Sequence, residues 1–162
     1  MLRFVPAASI LGKEEARRTM NDIEEAVIPM AIRLKWIEAC RKRLPYEACG
    51  IVFGRVDGNR LNVEGFAIVR NAAPDPSKAF FFEPDDWVRA WYDAERSGKR
   101  IVGIFHSHPG GTARPSATDT DQRPDWGAYW IIGLASGQDA LMEAYRAEQA
   151  GGWRRLTQLV ER

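Results

Sequence analysis

The feature that most constrains the fold of this chain is a pair of β-rich runs, residues 48–55 and 60–70, separated by only four residues. The connection contains Asp57-Gly58, and an Asp-Gly pair between two such runs is a strong hairpin signal, because glycine accepts the positive φ of a tight turn. We therefore predict that the two runs pair as antiparallel strands.

Helical and extended patterns alternate along the remainder of the chain. Apolar residues at helical spacing predict an amphipathic helix over residues 30–43. A second helix is predicted from Pro84 to about Ser97, with Gly98 closing it, and a helical turn is predicted after Ser116. Further strands are predicted over residues 79–83, 100–105, 129–135, 140–147 and 153–160. Helices distributed among hairpin-linked strands indicate one domain of the α+β or mixed α/β class.

The length of 162 residues suits one domain, which would bury about two-thirds of the surface of the unfolded chain. Residues 1–25 are mixed in character and are interpreted as a flexible N-terminal extension, in which residues 13–18 suggest a short exposed helix. Such an extension either folds over the rest of the chain or trails from it. The domain itself is predicted to span residues 26–162.

The 23 basic and 22 acidic residues nearly balance, so no chain-wide charge favours binding to nucleic acid or anionic lipid. Two cysteines, Cys40 and Cys49, are too few for a disulfide framework, and no leader pattern is recognised at the start of the sequence. No apolar run approaches the roughly 20 residues that cross a bilayer. We expect a cytoplasmic protein that partners neither nucleic acid nor a membrane.

Candidate chemistry concentrates where a predicted strand runs directly into His106-Ser107-His108-Pro109. Alternate side chains of a strand point the same way, so the two imidazoles can share one metal ion. A loop rich in glycine and proline follows, and it can bring Asp119 back over the histidines. Three protein ligands with an open fourth position are typical of a catalytic zinc site. We therefore predict a zinc site formed by His106, His108 and Asp119.

The competing interpretation is a pair of solvated or hydrogen-bonded histidines, which is the commoner state of a surface pair. His106 and His108 are, however, the only two histidines of the chain. Pro109, Ser116 and Asp119 also accompany them at fixed offsets, and this combination favours the metal site.

The same residues resemble a known family. The segment that begins at His106 and ends at Asp119 is similar to the JAMM signature H-x-H-P-x(6)-S-x-x-D without a departure, and residues 45–50 are similar to the upstream P-x-E-x-C-G element of that family. Glu47 stands at the glutamate of this element. On these motifs the chain resembles the short prokaryotic type of the JAMM, or MPN-plus, zinc metalloproteases, from about residue 27 to its end.

The resemblance implies a single MPN domain, in which a mixed central β-sheet is flanked by helices in an architecture related to that of cytidine deaminases. It also implies a zinc-dependent peptidase or isopeptidase. Amide hydrolysis needs an activated water, which bound zinc supplies by lowering the water pKa toward about 7. It also needs a carboxylate that moves a proton to the departing amine, and Glu47 is assigned this role without being a ligand. The simpler interpretation of Glu47 is a surface glutamate just past a helix.

Ser116 is assigned a hydrogen bond to the oxygen that becomes negative in the tetrahedral intermediate, a contact worth roughly 3 kcal/mol in comparable sites. Its simpler role is to cap the helix that carries Asp119. The two roles coexist only if the hydroxyl proton is free to donate.

Family resemblance further implies a substrate that ends in Gly-Gly, namely a ubiquitin-like or sulfur-carrier protein joined through an isopeptide or a linear bond. Residues 71–82 are proposed as an exposed edge beside the metal with which such an extended tail pairs by β-augmentation. Oligomeric state and the need for an activating partner are left open by the sequence.

Four other interpretations of these residues fit the sequence less well. A catalytically silent MPN-type binding module typically lacks the metal ligands that are present here. A RadC-like protein linked to DNA repair shares a similar metal loop, but the Glu47 element argues against it. A zinc deaminase needs His-x-Glu and Pro-Cys-x-x-Cys, and neither pattern occurs. Cys49 as a nucleophile would lack a paired histidine, so it is interpreted as a packed strand residue.

Overall fold

The computed structural model of this chain describes residues 20–124 and 126–162. Within this part, eight strands form one sheet and helices flank it. The strands are β1 (Glu25–Pro29), β2 (Cys49–Asp57), β3 (Arg60–Val69), β4 (Ile101–His108), β5 (Ala128–Gly133), β6 (Leu141–Ala147), β7 (Trp153–Arg155) and β8 (Thr157–Glu161). The helices are α1 (Met30–Arg41), α2 (Pro84–Arg96) and α3 (Ala117–Asp121). The predicted class, a mixed sheet flanked by helices, is confirmed.

The strand order across the sheet is β7-β6-β5-β4-β2-β3-β1-β8. Strand β4 runs parallel to β5, and β1 runs parallel to both β3 and β8, while the other neighbours are antiparallel. Strands β2, β4 and β5 therefore occupy the middle of the sheet, with neighbours on both sides.

The hairpin predicted from the Asp-Gly signal is confirmed as the β2–β3 pair. Asp57 pairs with Arg60, which leaves a loop of two residues, Gly58 and Asn59. Gly58 has a φ of +58°, and no non-glycine residue in the described chain has a positive φ. A positive φ at the first loop position alone is typical of the type II′ turn, which matches the twist of the paired strands.

The central strands are buried on both faces, so their sequences alternate between two apolar cores. Trp130 and Ile132 of β5 belong to the core beneath α1, where the ring of Trp36 packs edge-on against that of Phe105 at 5.0 Å. Ile131 belongs to the opposite core, which α2 covers. Because the side chains of β4 alternate in the same way, its two histidines emerge on the α2 side of the sheet.

The strand predicted over residues 79–83 is wrong. A single antiparallel bridge between Asn71 and Phe82 occupies this region. The side chain of Asn71 binds the C=O of Ala79 and the N–H of Phe81, which are groups that a continuous ladder would use. Side-chain bonding to the backbone has replaced strand pairing here.

The single strand predicted over residues 153–160 is also wrong, because it divides at Leu156 into β7 and β8. Strand β7 pairs with β6 at one end of the sheet, and β8 pairs with β1 at the other. The Leu156 N–H still donates to Ala144 (2.8 Å), whereas the Thr157 N–H donates to Glu24 (2.9 Å). The sheet therefore curls until its two ends approach each other.

Strand β1 was not predicted, because five residues that end in proline carry little periodic signal. Its partners β3 and β8 are both distant along the chain, and only the fold brings them together. The apolar core reaches back to the buried Ile23, three residues before the predicted start of the domain at residue 26. The helix predicted over residues 13–18 lies outside the described residues.

Across residues 20–124 and 126–162, no helix combines the length and the apolar character needed to span a membrane.

Candidate metal centre

The carboxyl end of strand β4 carries two of the predicted metal-binding side chains. His106 and His108 are two residues apart in the strand and so face the same side of the sheet. His106 is completely buried, because β4 is flanked by β2 and β5 and its ring is covered on the α2 side. Asp119 arrives from helix α3 and is 5% exposed.

Three ligand atoms from these residues converge on one point. His106 Nε2 lies 2.8 Å from His108 Nε2 and 3.0 Å from Asp119 Oδ1. His108 Nε2 lies 3.3 Å from Asp119 Oδ2. The cluster contains His106, His108 and Asp119 and does not include Glu47. The structure thus brings together the three side chains that the motif predicts as ligands.

The donor chemistry of this cluster fits zinc. The ring nitrogen Nδ1 of His108 lies 3.0 Å from the Thr112 carbonyl, which can only accept, so Nδ1 carries the proton. The neutral imidazole then offers the lone pair of Nε2 to the cluster. Two imidazole nitrogens and one carboxylate are the donor set of a catalytic zinc site that retains an open position.

The ring of His106 is held by packing. Its Nδ1 is buried and has no hydrogen-bond partner among the described residues. Phe80 stacks on the ring with a centroid distance of 4.7 Å, and Tyr129 packs at 5.3 Å. Aromatic contacts therefore orient this candidate ligand, whereas a metal-binding histidine more usually has a hydrogen bond at its second ring nitrogen.

Asp119 is oriented by the start of its own helix. Ser116 Oγ accepts the Asp119 N–H (3.1 Å), and Asp119 Oδ2 accepts the Ser116 N–H (2.7 Å), which together form a capping box. Tyr129 adds a hydrogen bond from its hydroxyl to Oδ1 at 3.3 Å. The helical turn predicted after Ser116 is confirmed, and its cap also aims the carboxylate at the histidines.

Burial and neighbouring groups shift the pKa values of all three side chains in the cluster. Burial alone would raise the pKa of Asp119, but the neighbouring imidazoles of His106 and His108 outweigh it and hold that pKa below its usual range. Burial lowers the pKa of His106. Burial also opposes the charged form of His108, yet the Asp119 carboxylate outweighs it and raises the pKa of that imidazole. Asp119 therefore stays ionised as a ligand must.

Glu47 stands two residues before strand β2, and only 7% of it is exposed. Burial raises the pKa of its carboxyl to about 7, while His108 lowers and Asp119 raises that pKa through their charges. The carboxyl of Glu47 thus interacts electrostatically with His108 and Asp119 but does not belong to the cluster. A carboxyl with a pKa near neutrality can both accept and release a proton at physiological pH.

The hydroxyl of Ser116 serves as an acceptor in the cap, and no described residue accepts its proton. Capping therefore leaves the proton available for donation to a substrate, which is the condition for both predicted roles to coexist.

Cys49 is 1% exposed, and its Sγ donates to the Val69 carbonyl at 3.3 Å. Burial raises the pKa of this thiol far above its usual value. A protonated, hydrogen-bonded thiol is a poor nucleophile, which agrees with the interpretation of Cys49 as a packed residue.

Several contacts of the site had no signal in the sequence. Residues 71–82 were proposed as an edge beside the metal, but nothing in the sequence singles out Asn71 or Phe80 within them, and Tyr129 was predicted only as a strand residue. Thr112 and Ser107 lie inside the motif, but they contribute through a backbone carbonyl and a buried hydroxyl that spacing does not reveal.

Comparisons with known proteins agree with this geometry. The sequence profile of prokaryotic homologues of the JAB domain matches residues 29–148, which include Glu47, Ser116 and the metal cluster. The solution structure of a protein from Desulfitobacterium hafniense superimposes with a TM-score of 0.75, is 29% identical, and covers 84% of this chain and 92% of that chain.

Curated relatives share about one third of the aligned residues. The desampylase of Haloferax volcanii is 34% identical over 101 residues, which are 62% of this chain and 69% of that protein. The desampylase of Pyrococcus furiosus is 34% identical over 86 residues, 53% of this chain and 58% of that protein. A Thermus thermophilus protein named "Probable TtuB-protein conjugate cleaving protease" is 31% identical over 91 residues, 56% of this chain and 57% of that protein. The resemblance predicted from the motif residues is confirmed, and this chain belongs to the family of prokaryotic JAB-domain homologues.

Proposed function

We propose that this protein is a zinc-dependent isopeptidase that hydrolyses the amide bond after the C-terminal Gly-Gly of a ubiquitin-like or sulfur-carrier protein. The observation that carries the proposal is the convergence of His106, His108 and Asp119 beside the buried carboxyl of Glu47. The names of the Haloferax, Pyrococcus and Thermus relatives support a conjugate as the substrate.

Zinc would be held by Nε2 of His106, Nε2 of His108 and the carboxylate of Asp119. When bound, zinc supplies Lewis acidity, which activates water for attack and polarises an amide carbonyl. The protein's own contribution is to keep Asp119 ionised and the imidazoles aimed at one point, through the cap at Ser116 and the packing of Phe80.

Glu47 acts as the general base and then as the general acid. Its carboxylate takes a proton from the attacking water and delivers it to the nitrogen of the departing amine, so that the carboxyl ends the cycle as it began. A pKa of about 7, which burial produces, suits both directions of transfer. Ser116 donates its free hydroxyl proton to the oxygen that becomes negative, a contribution of roughly 3 kcal/mol.

The substrate tail is proposed to pair with the edge formed by Phe80 and Phe82. Phe81 directs its C=O at the N–H of Ala72 (2.7 Å), so its neighbours direct their polar groups the other way. Among the described residues, no hydrogen bond reaches the backbone N–H or C=O of Phe80 or Phe82. Because the Phe80 ring stacks on His106, an extended tail on this edge would run beside the metal.

The proposal is tested on the purified protein by metal analysis together with conjugate cleavage. The substrates are small ubiquitin-like proteins that end in Gly-Gly, each joined to the lysine side chain of a fluorescein-labelled peptide. We expect about one zinc per chain, cleavage that a chelator abolishes and zinc restores, and loss of both zinc and cleavage in His108→Ala. A protein without zinc after reconstitution would refute the proposal, and zinc binding without cleavage of any conjugate would favour a binding module.

A further inference from the structure

One asparagine ties the segment over the metal site to the residue proposed as general base. The Asn71 amide nitrogen Nδ2 donates to the carbonyls of Glu47 and Ala79, both at 3.0 Å. Its Oδ1 accepts the N–H groups of Ala73 (3.0 Å) and Phe81 (3.1 Å). An amide side chain has two donors and two acceptor positions, so the hydrogen-bonding capacity of Asn71 is fully used on backbone groups.

The segment that Asn71 organises, residues 72–82, is named the site loop. It holds Glu47 from the other side as well, because the Glu47 N–H donates to the Pro76 carbonyl at 2.7 Å. The same loop carries Phe80, whose ring stacks on His106. The site loop therefore contacts both the backbone of the proposed base and the ring of a proposed ligand.

Glu47 depends on these bonds because it lies outside the sheet ladder. Strand β2 begins only at Cys49, so the N–H and C=O of Glu47 are bound by the site loop and Asn71. The Ala48 N–H, which belongs to the same peptide group as the Glu47 C=O, donates to the buried hydroxyl of Ser107 at 2.8 Å. The peptide group between Glu47 and Ala48 is thus held at its C=O by Asn71 and at its N–H by Ser107, while the preceding peptide group is held by Pro76.

We propose that Asn71 is a positioning residue that fixes the backbone of Glu47 and so couples the site loop to proton transfer. This inference rests on the proposed function, in which Glu47 is the general base. A displacement of about 1 Å in a reacting group can lower a rate by about 100-fold, so a clamp on this backbone is sufficient to control turnover.

The variant that tests the clamp is Asn71→Asp, which keeps nearly the same shape and the acceptor oxygen. The substitution replaces the Nδ2 donor with a carboxylate oxygen. This oxygen faces the carbonyls of Glu47 and Ala79 and cannot bond them, because all three groups are acceptors. We expect kcat on the best-cleaved conjugate to fall about 10- to 100-fold, with zinc content unchanged. Asn59→Asp is the matched control, because it makes the same change of side chain in the exposed β2–β3 turn, where the Asn59 amide donates to Glu24, and should leave kcat within about twofold.

A second readout does not depend on activity. Amide exchange, followed by NMR residue by residue, should accelerate at least about tenfold in Asn71→Asp at the Glu47 N–H, whose acceptor Pro76 lies in the site loop, and by less than about threefold at the Leu156 N–H, which donates to Ala144 away from this loop. If the wild-type protein cleaves no conjugate, this measurement still tests the clamp while the proposed function fails.

Three results would overturn the inference. Unchanged exchange at Glu47 would mean that Asn71 does not fix its backbone. A rise in KM with kcat retained would mean that Asn71 shapes only the substrate edge, and loss of zinc would mean that it acts through His106. If Asn71→Asp fails to fold, Asn71→Ser, which keeps one donor and one acceptor, is measured in the same way. Its kcat should be lower than that of the wild type and exchange at its Glu47 N–H faster, each by less than the change expected for Asn71→Asp.

Discussion

Tyr129 of strand β5 donates its hydroxyl to Oδ1 of Asp119 at 3.3 Å, and so joins the strand beside the histidines to the carboxylate that faces them. The ring of Tyr129 also packs against His106 and stacks on Trp153. Its position therefore depends on the sheet and not on the metal loop. A hydrogen bond of this kind orients a ligand and tunes its basicity.

Tyr129→Phe is expected to weaken zinc binding about 10-fold, because the ring packing stays and only the bond to Asp119 is lost. Competition with a chromophoric chelator measures the affinity. Tyr145→Phe is the control, since Tyr145 is a largely buried tyrosine that donates to the Ala113 carbonyl and bonds no proposed ligand. Equal zinc affinities in Tyr129→Phe and Tyr145→Phe would show that the bond to Asp119 has no role in metal binding.

Glu47→Gln should retain about one zinc per chain while kcat falls by about 10²- to 10⁴-fold, the range for loss of a general acid–base. The glutamine preserves shape and cannot take a proton. Zinc content and kcat are measured on the same preparation. Loss of zinc along with activity would instead identify Glu47 as a ligand.

Ser116→Ala should lower kcat by about 10²- to 10³-fold through loss of the proposed donor to the oxyanion. It should also lower the free energy of unfolding by about 1 kcal/mol, because the cap of α3 is lost. Ser116→Thr keeps both the hydroxyl and the cap, and its kcat should remain well above that of Ser116→Ala. Urea unfolding measures the role of Ser116 as a cap, and kcat measures its role as a hydrogen-bond donor. A full loss of activity in Ser116→Thr would argue against donation by the hydroxyl to the oxyanion.

Gly50, three residues after Glu47, is required by close packing in the middle of the sheet. A Cβ built on it would lie 2.0 Å from the Ala67 carbonyl oxygen and 2.6 Å from the ring of Phe105. Gly50→Ala should therefore lower the free energy of unfolding by about 1–3 kcal/mol or more. Gly65→Ala in the paired strand, where the nearest atom is 3.8 Å away, should cost less than about 1 kcal/mol. Urea unfolding measures the free energy of unfolding of both variants. Equal decreases in Gly50→Ala and Gly65→Ala would contradict the packing argument.

Pairing of the substrate tail with Phe80 and Phe82 predicts an alternating pattern in the substrate itself. In a paired strand every second N–H faces its neighbour, so N-methylation at alternate positions upstream of Gly-Gly should raise KM about 10-fold. Methylation at the positions between them should change KM by less than about threefold. Steady-state cleavage of conjugates with a semisynthetic tail gives this pattern, and a uniform response along the tail would exclude edge pairing.

The site was predictable to the extent that its geometry is local. His106 and His108 face one side because a strand has a period of two, and Ser116 caps the helix of Asp119 because the cap spans three residues. Phe80, Tyr129 and Asn71 reach the same site from other parts of the chain. The family resemblance placed residues 71–82 beside the metal, but no local pattern indicates which of their side chains contact His106 or Glu47, and none marks Tyr129.

By itself, the sequence determined the β2–β3 hairpin, the shared face of the two histidines and the capped turn that carries Asp119, because each is decided by residues within a few positions of one another. Tertiary structure alone decided the division of the last predicted strand at Leu156 and the pairing of β8 with β1. It also decided which side chains surround the ligands. Such contacts join residues far apart in the chain, and they form only when the burial of two apolar cores has chosen one arrangement of the whole sheet.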